Sequence, residues 1–181
     1  SSTTSARPAS TSAPTAPTSA WSWVGGYRFR VTAKPVPPRL RKVLLVPASE
    51  GAEDELREQV RLSREWAAAT ALARDLANAP SNVKDPAWLA GTAAELAGSV
   101  PGLKATVRNE KWLAEHGFGG ILAVGGGSSR PPALLELSYQ PENAEGPHLV
   151  LVGKGITFDT GGISLKPAAG MHLMRTDMSG G

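Results

Sequence analysis

The sequence predicts an α/β fold with layers of helices and strands. Two observations support this class. Segments with helical periodicity alternate along the chain with short apolar runs that are typical of strands, and such alternation favours a layered α/β architecture. Hydrophobic residues make up 41% of the 181 residues, so the composition allows a packed core.

Composition divides the chain into four parts. Residues 1–20 contain only Ser, Thr, Ala, Pro and one Arg. They cannot bury enough apolar area to offset chain entropy, so we predict a flexible, low-complexity segment. We interpret residues 21–50 as a small separate unit and 51–80 as a linker helix. Residues 81–181 then form the main domain.

The first elements are two short strands. Residues 27–31, "YRFRV", alternate apolar and polar side chains after a Gly-Gly turn, and "RKVLLVPAS" at 41–49 is a more apolar run. Trp21 and Trp23 precede both. They could form a platform for a ligand, but their role as a packing anchor for this small unit is the favoured interpretation.

One long helix is predicted over residues 53–78. Three acidic residues open it, where the helix dipole favours negative charge, and Pro80 ends it. The predicted apolar stripe consists of Leu56, Val60, Trp66, Ala69, Ala73 and Leu76, with Ser63 filling the gap.

Helices and strand candidates then alternate. Asp85 is predicted to cap a helix that Pro86 begins and Gly98 ends, and Asn109 is predicted to cap a short helix. The strand candidates are "LKATVR" (103–108), "GILAVGG" (120–126), "PALLELSY" (132–139) and "HLVLVGKG" (148–155).

Several classes of protein are excluded or unsupported by composition. The chain has no cysteine, so it has neither a disulfide framework nor a thiolate metal site. Its longest apolar runs are far shorter than the ~20 residues of a membrane span, so no membrane partner is predicted. A net charge of +3 with scattered basic residues does not predict nucleic-acid binding.

Chemistry-bearing residues concentrate in the last thirty residues. Lys154, Asp159, Lys166 and Asp177 lie among glycines, after an apolar run. Aspartate oxygens are hard ligands for Mg²⁺, Mn²⁺ or Zn²⁺. A buried lysine beside such an ion can lose its proton and coordinate, and a charged lysine can stabilise an oxyanion. The set is compatible with metal-assisted hydrolysis.

Other interpretations compete with this one. A phosphate-binding loop is excluded, because Gly155 follows Lys154 where that motif requires Ser or Thr. The glycine-rich run at 124–129 is favoured as a structural loop, since Arg130 and two prolines follow it. From the residue types alone, the alternative that the four charged residues are ordinary surface charges stays open.

The segment "LVLVGKGITFDTGGISLKPAAGMHLMRTDMSGG" (149–181) closely resembles the leucyl aminopeptidase family of dinuclear metallopeptidases, also called cytosol aminopeptidases. The resemblance extends through "ARDLANAPSN" (73–82) and, more loosely, through "GGILAVGGGSSRPPALLELSY". The segment "GGYRFRV" is similar to the last part of the family's N-terminal domain. The resemblance thus covers about residues 23–181. It implies that 81–181 is the N-terminal part of a truncated catalytic peptidase domain, a partial three-layer sheet with helices on both faces. It also implies that 21–50 is the remnant of a smaller α/β N-terminal domain.

The resemblance implies a role for five residues. Lys154 corresponds to a ligand of one metal ion, Asp159 to the aspartate that bridges two ions, and Asp177 to a further ligand of the lysine-bound ion. Lys166 corresponds to the catalytic lysine that contacts the scissile carbonyl oxygen. Met174 falls where the family lines the pocket for the substrate's first side chain. His172 replaces another polar residue, and solvent exposure is favoured for it over metal binding.

The resemblance also implies an activity and its requirements. Family members release N-terminal residues from peptides, often leucine, with two divalent ions (Mn or Zn) and, in the intact protein, a bicarbonate. A homo-hexamer and a cytoplasmic location are implied as well. A noncatalytic or DNA-binding relative that keeps the fold is the alternative.

The chain lacks part of the family's ligand set. The family's "NTDAEGR" segment supplies an aspartate, a glutamate and the arginine that holds bicarbonate, and it lies downstream of the residues present here. Two aspartates offset only half the charge of two divalent ions, and buried uncompensated charge is costly. We therefore expect an internal fragment of a longer aminopeptidase, inactive by itself.

Overall fold

The computed structural model describes residues 27, 29, 42, 44–47 and 49–181. The described residues fall into two compact units, which meet in the chain between Leu72 and Ala73. Residues 28, 30 and 31 of the predicted strand at 27–31, and residues 41, 43 and 48 of the predicted strand at 41–49, lie outside the described residues. Residues 44–47, which are described, are not in a strand. The four-part division predicted from composition stays a prediction.

The long helix α1 spans Glu53–Asn78, as predicted. Its first turn carries three acidic residues next to the positive end of the helix dipole. The side chains of Ser63 and Ala67 are buried, whereas Trp66 is 50% exposed. The predicted stripe is therefore wrong at Trp66, Ala69 and Ala73, which are exposed. The buried positions are Ser63 and Ala67, one helical turn apart.

Helix α2 spans Pro86–Gly98 and begins as the sequence predicts. The Asp85 carboxylate accepts a hydrogen bond from the backbone N–H of Trp88 at 2.8 Å, which satisfies one of the helix's unpaired donors. The other Asp85 oxygen accepts from the Arg130 guanidinium, also at 2.8 Å. Asp85 thereby joins the start of α2 to the loop before the second strand.

Two antiparallel strands form the sheet of the described residues: β1, Leu103–Arg108, and β2, Leu134–Tyr139. The register pairs Leu103 with Tyr139 and Arg108 with Leu134. Helix α2 packs against both strands. The α/β class and both of these strands are confirmed, and the sheet is antiparallel at this point.

Helix α3 spans Glu110–Glu115 and helix α4 spans Gly119–Gly125. Asn109 caps α3 by accepting from the N–H of Trp112 at 3.0 Å, as predicted. The strand predicted at 120–126 is wrong, because this run forms α4 and packs against α3. A run of seven apolar and glycine residues is compatible with a short helix as well as with a strand.

The strand predicted at 148–155 is also wrong within the described part of the chain. Residues 147–156 have no regular secondary structure, and the side chains of Leu149–Val152 are between 76% and 94% exposed. A strand needs a neighbour for its backbone groups. Within residues 49–181, only β1 and β2 pair with each other.

A 3₁₀ helix, Met171–Gly180, follows the irregular segment. Met178 is buried in it, and Leu113 of α3 is fully buried. Among the described residues, no helix is long and apolar enough to cross a membrane.

Candidate active site

The backbone of the candidate site folds back on itself between residues 153 and 181. A Cβ added to Gly153 would lie 2.6 Å from the Cα of Gly181, and one added to Gly181 would lie 2.7 Å from the carbonyl oxygen of Lys154. Only residues without side chains allow two backbones this close. The end of the 3₁₀ helix therefore lies against the segment that carries Lys154.

A tight glycine turn shapes the loop around Asp159. Gly161 has φ +94°, and a Cβ there would lie 2.3 Å from the carbonyl oxygen of Ser164, so glycine is required. The N–H of Gly161 donates to Oδ1 of Asp159 at 2.8 Å. The N–H of Lys166 donates to the carbonyl of Thr160 at 2.9 Å, which closes the loop.

This loop brings Lys166, Asp159 and Met174 together. Nζ of Lys166 donates to Oδ2 of Asp159 at 2.7 Å and lies 3.4 Å from Sδ of Met174. The Lys166 and Asp159 side chains are 32% and 36% exposed. The ammonium is thus held between a carboxylate and a thioether while remaining open to solvent.

The second pair joins the start of the segment to the 3₁₀ helix. Nζ of Lys154 donates to Oδ2 of Asp177 at 3.1 Å, and the two side chains are 55% and 23% exposed. The five residues singled out from the sequence therefore form two contacting groups, Lys154 with Asp177 and Lys166 with Asp159 and Met174.

The two groups share one electrostatic environment. The hydrogen bond from Lys166 holds the pKa of Asp159 below its ordinary value, and the Gly161 N–H adds to this effect. The positive charges of Lys166 and Lys154 lower the pKa further. Lys154 acts on Asp159 although its own ion pair is with Asp177. The cluster therefore keeps Asp159 ionised, which is the form that a metal ion binds.

The donor set fits part of a divalent metal site. Asp159 and Asp177 offer carboxylate oxygens, and Lys154 offers an amine once it loses its proton. Within the described ranges, no group of three or more His, Cys, Asp or Glu side chains could hold a metal ion. His172 lies in the 3₁₀ helix and is exposed. The set is chemically suitable but supplies too few ligands for a complete site.

A cavity of about 620 Å³ borders this segment, but the candidate site residues do not line it. Its walls include Pro80, Phe158, Met171 and Arg175, and none of the five predicted site residues lines it. Phe158 and Arg175 are sequence neighbours of Asp159 and Met174. The cluster thus lies beside this cavity rather than in it.

One structurally central residue was missed by sequence reasoning. Lys84 is fully buried, and its Nζ donates to the carbonyl oxygens of Leu76 and Arg175 at 2.7 and 2.6 Å. Its position between a helix-ending proline and the cap of α2 suggests only a loop lysine. Both partners are backbone groups, which carry no sequence signal.

The comparisons with known proteins bear on the same segment. Residues 71–181, more than half of the chain, match the family model described as the cytosol aminopeptidase family, catalytic domain. The chain belongs to the cytosol aminopeptidase family. The match includes the whole Lys–Asp cluster and Lys84.

Relatives of known sequence agree with this assignment. The chain is 46% identical over 164 residues to a probable cytosol aminopeptidase of Rhodococcus opacus (strain B4), which covers 87% of this chain and 32% of the relative. It is 44% identical over 166 residues to a probable cytosol aminopeptidase of Mycobacterium marinum (strain ATCC BAA-535 / M), with 87% and 31% covered. The chain therefore spans about a third of the length of these family members.

Solved structures show the same fold. The bottromycin maturation enzyme BotP in complex with Mn is 37% identical with a TM-score of 0.68, over 88% of this chain and 32% of that one. The apo leucyl aminopeptidase from Trypanosoma cruzi is 35% identical with a TM-score of 0.58, and the match covers 67% of this chain and 23% of that one. The α/β assignment of this cytosol aminopeptidase segment is thereby confirmed.

Proposed function

We propose that this chain is part of a metal-dependent aminopeptidase that releases N-terminal amino acids from peptides, preferring leucine but accepting other residues. The observation that carries the proposal is the cluster of Lys166 with Asp159 and Met174, next to the Lys154–Asp177 pair. The cluster lies within the part of the chain that matches the family's catalytic domain.

We assign Lys154, Asp159 and Asp177 to the binding of two divalent ions, Mn or Zn. BotP, a solved relative, is described in complex with Mn, which supports this metal class. Bound divalent ions supply a polarised carbonyl and a nucleophilic water at neutral pH. Lys154 Nζ must give up a proton to act as a ligand, so metal binding at this site releases protons.

Lys166 is assigned to the scissile carbonyl oxygen. Its Nζ is partly exposed and has one charged partner, so it retains donors for a substrate oxygen. A charged donor aimed at the developing oxyanion stabilises the transition state more than the ground state. Met174 contacts Lys166 and is partly buried, which suits a residue that lines the pocket for the first side chain.

Charge supports a requirement for additional residues. Two divalent ions carry four positive charges, and the two aspartates of the cluster return two of them. We propose that the remaining ligands come from elsewhere in a longer polypeptide, as the relatives' length permits. The 181-residue chain alone then lacks turnover. Bicarbonate as a further group, a homo-hexameric assembly and a cytoplasmic location belong to the same proposal.

The test compares three substrates with the full-length protein and Mn²⁺. Leucine amide should be hydrolysed, N-acetyl-leucine amide should not, and glycine amide should be slower than leucine amide. The blocked amine tests exopeptidase action, because a free N-terminus is what an aminopeptidase binds. Equal cleavage of blocked and free substrates, or turnover that survives metal removal by EDTA, contradicts the proposal.

The same assay on residues 1–181 tests the requirement for additional ligands. If residues 1–181 turn over substrate within about tenfold of the full-length protein, the requirement for additional ligands is contradicted. A tenfold difference corresponds to a loss of only ~1.4 kcal/mol in transition-state stabilisation. In the described part of the chain, no observation favours the noncatalytic or DNA-binding alternative.

A further inference from the structure

Lys84 lies at the junction of three parts of the second unit. Its side chain is fully buried, the largest side chain buried to this extent among the described residues. Its Nζ donates to the carbonyl of Leu76 near the end of α1, eight residues away, and to the carbonyl of Arg175, 91 residues away. Lys84 itself precedes the cap of α2.

A buried lysine needs a structural or functional reason. Removing an ammonium from water is costly unless hydrogen bonds replace its hydration. Burial lowers the pKa of Lys84, and the positive charge of Arg175 lowers it further. Its two acceptors are neutral carbonyls, and no ion pair is recorded for it among the described residues. A methionine of similar length would avoid that cost but would leave both carbonyls without this donor.

The Arg175 carbonyl lies between two site residues. Met174, the preceding residue, contacts Lys166, and Asp177, two residues later, pairs with Lys154. The 3₁₀ helix that carries all three is a poorly bonded form of helix that rarely persists over ten residues without support. The hydrogen bond from Lys84 joins this helix to the end of α1, a long regular element.

We propose that Lys84 is a positioning residue of the active site: its ammonium fixes the Arg175 carbonyl and thereby sets Met174 against Lys166 and Asp177 against Lys154. The role rests on the proposed aminopeptidase function. Lys84 touches none of the reacting groups and acts through the backbone of the 3₁₀ helix.

The experiment uses the full-length protein with Lys84→Met and Lys84→Gln. Methionine keeps the length without a donor, and glutamine keeps an N–H₂ group that can donate to carbonyls. Lys104→Met, at an exposed lysine of β1, is the matched control. With leucine amide and saturating Mn²⁺, kcat should fall at least about tenfold in Lys84→Met, since ~1 Å of misplacement costs ~10²-fold. Lys84→Gln should retain part of the kcat that Lys84→Met loses.

A double-mutant cycle separates positioning from general stability. Effects of independent sites multiply within about twofold, whereas coupled sites deviate. The fold changes in kcat/KM caused by Lys84→Gln and by Met174→Leu, multiplied together, should therefore differ from the fold change of the double variant. For Lys104→Met combined with Met174→Leu, the product should equal the fold change of the double variant. Multiplicative effects in both cycles overturn the proposal. A Lys84→Met variant whose kcat stays within twofold of wild type also overturns the proposal. Loss of folding in both Lys84 variants overturns it as well, because it would assign Lys84 to stability alone.

A readout independent of turnover distinguishes this inference from the proposed function. Amide hydrogen exchange across residues 171–178 should be faster in Lys84→Gln than in the wild type and unchanged in Lys104→Met. A wild-type protein without aminopeptidase turnover refutes the proposed function, and the exchange rates still decide the anchoring role. Unchanged exchange in Lys84→Gln refutes the anchor.

Discussion

Replacing Lys166 with methionine tests the division of roles within the cluster. Methionine preserves the length of the side chain and removes the ammonium that contacts Asp159 at 2.7 Å and Met174 at 3.4 Å. In the proposed mechanism, this ammonium stabilises the negative charge that develops on the carbonyl oxygen. Losing one such donor costs ~10²–10³ in kcat.

The stability of the protein cannot account for a loss of that size. The Lys166 and Asp159 side chains are each about one-third exposed, and solvent screens such a pair. A hundredfold loss through unfolding would require removal of the whole stability of a typical domain, about 5–15 kcal/mol. We therefore expect the thermal midpoint of Lys166→Met to stay within about 4 °C of the wild type.

The matched variant is Lys154→Met, which removes the other lysine of the cluster. Lys154 is assigned to metal binding, so its loss should weaken Mn²⁺ affinity measured by calorimetry on the full-length protein. Lys166→Met should bind Mn²⁺ within about threefold of wild type, a difference below ~0.7 kcal/mol. Kinetics at saturating Mn²⁺ and calorimetry together separate the two assignments.

Three results would refute this reasoning. Equal losses of metal affinity in the two variants would remove the distinction between ligand and oxyanion donor. A Lys166→Met variant with kcat within threefold of wild type would show that the ammonium does not act in the transition state. A kcat loss that disappears when the temperature is lowered would indicate partial unfolding instead.

Two further predictions concern stability. Gly161→Ala should destabilise the full-length protein by ~1–3 kcal/mol in urea unfolding, because φ is +94° and the new Cβ would meet the Ser164 carbonyl. Gly155→Ala is the control: its Cβ would lie in open space, so the free energy of unfolding should change by less than ~0.5 kcal/mol. Equal effects would contradict the turn assignment. The pKa of Lys84 in the folded protein lies below the ordinary 10.5. At pH values between the folded pKa and 10.5, the unfolded chain therefore binds more protons than the folded protein, and the free energy of unfolding should rise with pH. Lys84→Met should remove that contribution, and identical wild-type and variant stability profiles in this alkaline window would contradict it.

Helices α1, α2 and α3 were predictable because their signals are local, whereas α4, which lacks a side-chain cap, was mistaken for a strand. The acidic first turn and Pro80 bracket α1, and Asp85 and Asn109 cap α2 and α3 through bonds to residues three positions later. Each signal is read within a few residues and needs no knowledge of the rest of the fold. Burial along α1 was less predictable: Trp66 fits helical spacing but is half-exposed.

Sheet structure was harder to predict because strands depend on distant partners. The runs at 103–108 and 134–139 are strands, and 120–126 and 148–155 have similar apolar character without being strands. A short apolar run does not identify its partner or distinguish a strand from a buried helix. Pairing of β1 with β2 joins residues about thirty positions apart, which periodicity does not encode.

The resemblance singled out five candidate site residues, but not how they contact each other. That Lys166 pairs with Asp159 and Lys154 with Asp177 follows from the turn at Gly161 and the close approach of Gly153 to Gly181. Lys84 could not be found in this way. Its partners are carbonyl groups, which every residue has, so only the fold identifies which ones it reaches.

The hydrogen bonds of Asp159 connect the metal-binding role proposed for it to the catalytic role proposed for Lys166. Its Oδ1 accepts from the Gly161 N–H, and its Oδ2 accepts from Lys166. A carboxylate that serves as a metal ligand must offer an oxygen, and Lys166 is the partner that can leave without unfolding the Gly161 turn. Under the proposed function, Lys166 gives up Oδ2 and its freed donor becomes available to the carbonyl oxygen. The same exchange explains why a lysine and an aspartate can be paired here and still have separate roles in catalysis.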